Sequence, residues 1–373
     1  MRISMGILTA VLATTACMPL QGAKAQPSGP DQPDMVLTAE TRTQIIANLL
    51  GKLDANYVFP DVAKKMDAAL HKRLENKEYD KVTSAKSFAE LLTKHLQEVS
   101  HDGHLRVRFS YEMLPTRKED DQPSAAEIEQ YRTWNQQVNF GFEKVERLNG
   151  NIGYLDLRGF FDPEMGGDTV AGAMTLLANT DALIIDLRQN GGGSPEMVQL
   201  ICSYFFEGEP VHLNDLYFRP SDTTRQYWTL PHVPGKRYVG KEVYILTSHR
   251  TFSGAEEFSY NMKNLKRATL IGETTGGGAH PGDMARINDH FAIFVPSGRA
   301  INPITKTNWE GTGVTPDVAA PAEQALKTAQ VAALKHLLAK TTDGPRAGQL
   351  KEVLETTEKE LAALQANKTP EKP

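Results

Sequence analysis

The chain has 373 residues, of which 40% are hydrophobic and 23% charged, with a formal net charge of -5. That size and composition predict a soluble globular protein with a sizeable core, built as one large domain with appendages or as two domains. The mild acidity and the lack of a dense Lys/Arg stripe argue against nucleic acid or an anionic membrane surface as partner.

The first 25 residues stand apart. Arg2 precedes the apolar run ISMGILTAVLATTAC, and the small-x-small triplet Ala23-Lys24-Ala25 follows. A basic start, a short apolar stretch and such a site predict a secretory signal peptide cleaved after Ala25, and hence an exported protein, periplasmic or secreted. The run is too short to span a bilayer comfortably, so no transmembrane segment is expected in the mature chain. Cys17 offers lipidation as a weaker alternative, because no large aliphatic residue stands three positions before it. With the leader removed, Cys202 is the sole cysteine, which excludes an intramolecular disulfide. Its setting in MVQLICSYFF reads as that of a small buried hydrophobe. No CxxC or HExxH spacing is present, so neither a metal nor a cofactor is expected.

Residues 26–37 are rich in Pro, Asp and Gln and predict a flexible lead-in. From 38 to 100, three segments place apolar residues at three- and four-residue spacing, with Pro60 and the KVTS stretch between them, which predicts an N-terminal helical subdomain. HDGHLRVRFSYEML alternates like a strand, and the polar, Pro-containing residues 115–137 read as a surface excursion. Strand-like and helical patterns then alternate to about 320. Two apolar strands, ALIID and EVYILTS, each run into a Gly- or Ser-containing turn and a helix, so residues 101–320 predict an α/β core with parallel strands. Residues 321–373 read as two helices and a loose tail.

Three stretches within this core can carry chemistry. In ALIIDLRQNGGGSPEM, a strand carrying Asp186, Arg188 and Asn190 at its end leads through Gly191, Gly192 and Gly193 into a helix. Glycines there let backbone N–H groups face an oxyanion, although a Gly-rich loop also exists without any ligand. The loop matches neither GxxxxGK[ST] nor GxGxxG, which weakens a phosphate-binding reading. In VSHDGHLRVRF, His101 and His104 flank Asp102 and Gly103, and either histidine could be a base or merely a solvated turn residue. In NWEGTGVTPDV, Glu310 is a surface carboxylate in a turn or a group that orients a histidine. Ser253, at the turn in YILTSHRTFSGAEEF, fits a capping box with Glu256, in which Ser and Glu each bond the other's backbone N–H.

Together these stretches resemble a family. ALIIDLRQNGGG, YILTSHRTFSGAEEF, LIGETTGGGAH and GTGVTPDV occur in the order and at roughly the spacing of the C-terminal-processing, or tail-specific, serine proteases of peptidase family S41. The resemblance covers about residues 40 to 320. DGHL and the helical N-terminal segment look like the branch that includes tricorn protease cores and interphotoreceptor retinoid-binding protein.

The resemblance implies a ClpP/crotonase-like α/β core with an N-terminal helical subdomain, and a serine peptidase acting on a polypeptide or peptide substrate. It assigns Ser253 as nucleophile, with Gly254 and Gly192 as oxyanion donors. The processing branch carries a lysine where this chain has Gly278, and a glycine cannot take a proton, so a Ser/Lys pair is excluded. The tricorn-like branch uses a histidine backed by a glutamate, matched here by His104 and Glu310. That branch has a serine where Gly103 stands, so three residues rather than four are expected to act. His280 is the rival base, and His249 is a lesser one. Arg188 is expected to position the GGG turn or a substrate carbonyl. Residues 110 to 140 leave too little room for the PDZ domain that processing peptidases usually carry. Two other functions share the same machinery or fold: a non-proteolytic carrier of hydrophobic ligands, and an esterase or acyl-transfer enzyme.

Overall fold

The computed structural model describes residues 32–116 and 124–366. The expected signal peptide, its cleavage point at Ala25 and Cys17 lie outside the described residues, as do residues 367–373 of the expected tail.

Three helices open the described chain: α1 (Ala39–Asn56), α2 (Pro60–Glu75) and α3 (Ala85–Ser100). Each has a recognisable start. Thr38 and Ser84 accept the N–H of Thr41 and Ser87, and Pro60 sits at the first position of α2, where a missing N–H costs nothing. Ile45, Leu49 and Leu53 of α1, Met66 and Leu70 of α2, and Phe88, Leu92 and Leu96 of α3 are buried together at three- and four-residue spacing. β1 (Arg106–Phe109) follows, with Val107 and Phe109 turned inward.

The stretch read as a surface excursion contains a 13-residue helix, α4 (Ala125–Gln137), opened by a complete capping box between Ser124 and Glu127. Its only buried residue is Asn135, so no apolar stripe betrays the helix, and the Ser-x-x-Glu start is its one sequence mark.

Strands and helices then alternate: β2 (Phe142–Leu148), β3 (Ile152–Leu157), α5 (Pro163–Leu177), β4 (Ala182–Asp186), α6 (Pro195–Ser203), β5 (His212–Phe218), β6 (Thr223–Trp228), β7 (Glu242–Thr247), α7 (Gly254–Asn264) and β8 (Thr269–Gly272). The chain continues through β9 (Gly282–Arg286), β10 (Phe291–Pro296), β11 (Gly298–Ile301), β12 (Val318–Ala319), α8 (Ala322–Lys340) and α9 (Pro345–Ala366).

A six-stranded sheet in the order β12-β8-β7-β4-β3-β2 is parallel except for β2. Helices cover both of its faces. Leu183 and Ile185 of β4 pack with Leu177, Met197, Ile201 and Phe258 of α5–α7, whereas Ala182 and Ile184 pack with Ala325, Ala329 and Leu334 of α8. That double coverage is why ALIID is continuously apolar rather than alternating. Cys202 is fully buried in the first of these layers, as its apolar setting implied. Two three-stranded sheets complete the molecule, β1-β10-β9 against the N-terminal helices and β11-β5-β6 beside α6.

The turns after β4, β7 and β8 lie at the carboxyl ends of three neighbouring parallel strands, where open α/β sheets form their crevices. No helix among the described residues is long and apolar enough to cross a membrane.

Candidate active site

Ser253 occupies the turn between β7 and α7, with φ 54 and ψ -122. The four other Ser or Thr residues that open α-helices (Thr38, Ser84, Ser124 and Ser194) have φ between -76 and -63 and ψ between 126 and 164. Each of those accepts a backbone N–H of its helix, the ordinary capping arrangement. Ser253 shares the capping-box layout, yet only the Glu256 half is a hydrogen bond: Ser253 N–H donates to Glu256 Oε2 at 2.9 Å, and the hydroxyl makes no cap bond. A non-glycine residue at this positive φ holds strain of order 1–3 kcal/mol, which persists only where the surroundings fix it. Here that backbone leaves the hydroxyl without a cap hydrogen bond.

The surroundings that fix it are the two glycine-rich loops. A Cβ at Gly192 would meet Gly254 N, Phe252 O and Ser253 Cβ within 2.8 Å, and one at Gly254 would lie 3.0 Å from Gly193 O. Gly193 itself has φ 140 and backs onto the Phe160 carbonyl, so the GGG turn admits no side chain on either wall. Gly192, expected as an oxyanion donor, gives its N–H to Asn190 Oδ1 at 2.8 Å. Phe160 bonds Gly192 O and Ser194 N–H, so in this parallel bridge the N–H of Gly193 points away from Phe160, toward the start of α7.

Glu256 joins these pieces. Its fully buried carboxylate accepts four hydrogen bonds: from Ser253 N–H (2.9 Å) and Gly278 N–H (2.8 Å) on Oε2, and from Gly277 N–H (2.7 Å) and Thr275 Oγ1 (2.5 Å) on Oε1. Burial pushes its pKa up to about 7 against the pull of those four donors. The loop carrying Glu310 is tied to the same turn, since Trp309 Nε1 donates to Gly278 O at 2.7 Å and Val314 N–H to Thr275 Oγ1 at 2.6 Å.

The histidines arrive from the other side. α3 ends at His101 in a left-handed conformation, and the His104 N–H donates to Asp102 Oδ1 at 3.0 Å. The His104 ring rests on Phe252 with centroids 4.6 Å apart, next to the nucleophile candidate. Its Nδ1 is buried without a hydrogen-bond partner, 4.0 Å from Asp102 Oδ1. Burial lowers its pKa to about 4, so the imidazole is neutral near pH 7. Among the described residues no hydrogen bond joins the Ser253 hydroxyl to a histidine.

His280 is engaged elsewhere. Its Nδ1 lies 2.8 Å from Asp102 Oδ2 and 3.3 Å from Glu310 Oε2, and its ring stands edge-on to Phe59 at 5.3 Å. Glu310, expected behind His104, therefore meets His280 instead, and its Oε2 also accepts the Ala279 N–H at 2.5 Å. Burial, with the charge of Asp102 added, pushes Glu310 up to about 7. Burial would raise Asp102 too, but the His280 hydrogen bond and the nearby imidazoles hold it below the usual value. The Tyr57 hydroxyl adds a third contact to Asp102 at 3.1 Å. Asp102, His280 and Glu310 bring ligand-type atoms within 4.8 Å of one another and could between them hold a metal ion; His280 Nδ1 already contacts both carboxylates, while Glu310 Oε1 is buried without a partner.

The family model described as Peptidase family S41 matches residues 151–320, and the model of the N-terminal domain of Peptidase_S41 in eukaryotic IRBP matches residues 34–143. The chain belongs to peptidase family S41. It is 29% identical over 155 residues to the tail-specific protease of Haemophilus influenzae, a match covering 39% of this chain and 20% of that one. It is also 31% identical over 155 residues to the tricorn protease of Thermoplasma volcanium, covering 40% and 13%. The chain thus spans well under half the length of the curated relatives it matches. A candidate peptidase from Parabacteroides merdae shares the fold at 21% identity, with a TM-score of 0.53 over 77% of this chain and 92% of that one.

One departure from the S41 processing pattern now has a physical reason. At Gly278, where that branch carries its lysine, an added Cβ would collide with the Phe252 ring and lie 2.6 Å from His104 Cε1. The imidazole fills the space a longer side chain would need. Arg188 is held by Asp186 and by the Ala322 carbonyl, so its guanidinium ties β4 to α8, while its own carbonyl accepts the Ser248 hydroxyl at 2.7 Å. His249 pairs with Glu273 at 3.1 Å on the surface. Sequence reasoning gave no role to Tyr57, named Gly193 only as one of three glycines in the turn, and placed Asp102 between two histidines without a role of its own. Asp102-x-His104 was the one local signal for that carboxylate.

Proposed function

We propose that this S41 protein is an exported serine peptidase whose nucleophile is Ser253. The observation that carries the reading is the backbone of Ser253, which alone among the helix-opening serines and threonines of the described residues abandons the capping conformation. A strained strand-to-helix turn of this kind presents Oγ at the mouth of a parallel sheet, beside a helix N-terminus that favours developing negative charge.

His104 is the base in this reading. It is neutral near pH 7, its Nδ1 has no other partner, and it lies against Phe252 in the space that Gly278 leaves open. In unliganded sites catalytic hydrogen bonds are often long and tighten only when substrate binds. Asp102 is the carboxylate nearest its Nδ1 and orients the ring, while Tyr57 and His280, the latter backed by Glu310, hold Asp102 in place. Ser253 Oγ attacks the peptide carbonyl as His104 takes its proton, and the imidazolium then protonates the leaving amine. The N–H groups of Gly254 and Gly193 receive the oxyanion, with Asn190 fixing the turn through Gly192.

Ser253→Ala should abolish hydrolysis of an unstructured protein substrate and leave the thermal unfolding curve within about 1 kcal/mol of wild type, as for a surface change. Turnover near the wild-type rate in that variant would sink the assignment. The export half of the proposal rests on residues 1–25, and N-terminal sequencing of the mature protein should begin at Gln26.

A further inference from the structure

Beside the His280–Glu310 pair the surface opens into a cavity of ≈ 410 Å³. The size suits one or two side chains of a bound peptide, within the roughly 300–1,000 Å³ of ordinary ligand sites. Two cations line it, Arg299 on β11 and Lys306 on the turn that follows. The Arg299 guanidinium lies over two rings, 5.4 Å from the centroid of Tyr217 and 5.8 Å from that of Phe59. Ring faces hold a guanidinium through its own flat face and leave the in-plane N–H fork free. Lys306 is set by a left-handed turn (φ 58) whose N–H bonds Asn302 O at 2.9 Å. Neither cation has an ion pair among the described residues. The one carboxylate on the cavity wall, Glu310, gives Oε2 to His280 and the Ala279 N–H, and its Oε1 is buried without a hydrogen-bond partner and pairs with neither cation.

A pre-oriented, uncompensated guanidinium and a second cation in one hollow select a planar anion, which Arg binds through two parallel N–H bonds. We propose that this cavity is a specificity subsite that receives a carboxylate group of the substrate, with Arg299 as its main contact and Lys306 as its second. The proposal rests on the peptidase reading above and names the substrate class it implies: chains that place a carboxylate, from an acidic side chain or from a free C-terminus, near the cleaved bond. Both sources offer the same anion.

Two series of quenched fluorescent peptides separate them. One varies an internal Glu against Gln at successive positions, and the other varies a C-terminal acid against the amide. The expected result is that wild type prefers the carboxylate member of at least one series in kcat/KM by about tenfold, the scale of one charge-assisted contact. That preference should fall toward one in Arg299→Gln, survive in part in Arg299→Lys, and reverse toward a Lys-bearing peptide in Arg299→Glu. Equal treatment of both members by wild type, or an unchanged preference in Arg299→Gln, overturns the proposal. Calorimetric titration of the Ser253→Ala protein with the same pairs separates the two readings. Tighter binding of the acid member, lost when Arg299→Gln is added, upholds the subsite even if wild type hydrolyses nothing, whereas hydrolysis without that binding difference overturns the subsite alone.

Discussion

At the scale of single residues, the same amino acid does two jobs under two backbone conformations. Ser84 and Ser124 cap helices from the extended region, and Ser253 stands at a helix start with φ 54 and keeps its hydroxyl free of the cap. Glu256 enforces the difference, because its carboxylate takes the Ser253 N–H and three donors from the 275–278 loop. Glu256→Gln replaces one acceptor oxygen by an NH₂ group that faces N–H donors. It should lower kcat by an order of magnitude or more with little change in KM, as expected when only transition-state geometry is lost. A variant with wild-type kcat would show that the carboxylate merely packs.

The pH profile belongs to this scale as well. In the proposed mechanism a neutral His104 is the active form, and burial holds its pKa at about 4 rather than 6.5. The acid limb of kcat/KM should therefore fall near pH 4, and a limb near 6.5 would point to an imidazole open to solvent. The linked stability has the same sign: His104 contributes fully above about 6.5, and the contribution is lost as pH falls through about 4.

Among the elements, the site is a meeting of three turns at the carboxyl ends of β4, β7 and β8, and the GGG turn is the tightest of them. Gly193 has φ 140 and faces the Phe160 carbonyl with no room for a methyl group. Gly193→Ala should destabilise the protein by about 1–3 kcal/mol in a denaturant titration and remove activity; a melt equal to wild type would mean that the turn can shift freely. Much of this level was legible beforehand. The spacing of Ile45, Leu49 and Leu53 announces α1, and the unbroken run in ALIID announces a strand covered on both faces. α4 was not legible as a helix because it buries only Asn135 and so carries no apolar stripe. The Ser253 turn and the Gly254 contact were visible in the motif. That the Gly192 N–H is occupied was not visible in the GGG motif, because it depends on which N–H Asn190 takes.

For the whole molecule, the decisive fact is that the site straddles two layers. Ser253 comes from the six-stranded sheet, while Asp102 and His104 come from the end of α3, in the N-terminal layer. The contact between Asp102 and His280 joins positions 178 residues apart, which is why no local pattern could foretell that Glu310 meets His280 and not His104. Side-chain contacts hold the layers in register. The His104 ring rests on Phe252 of the turn after β7, and Asp102 Oδ2 lies 2.8 Å from His280 Nδ1, on the loop after β8. In the mechanism proposed above, a nucleophile in one layer and its base in the other make catalysis depend on that register.

Fluorophosphonate labelling of the wild type, His104→Ala and His280→Ala proteins, with the adduct located by mass spectrometry, tests this arrangement most directly. The expected result is an adduct on Ser253 in the wild type, loss of labelling in His104→Ala, and slower but persistent labelling in His280→Ala. Labelling that survives in His104→Ala and vanishes in His280→Ala, or an adduct at any residue other than Ser253, would contradict it.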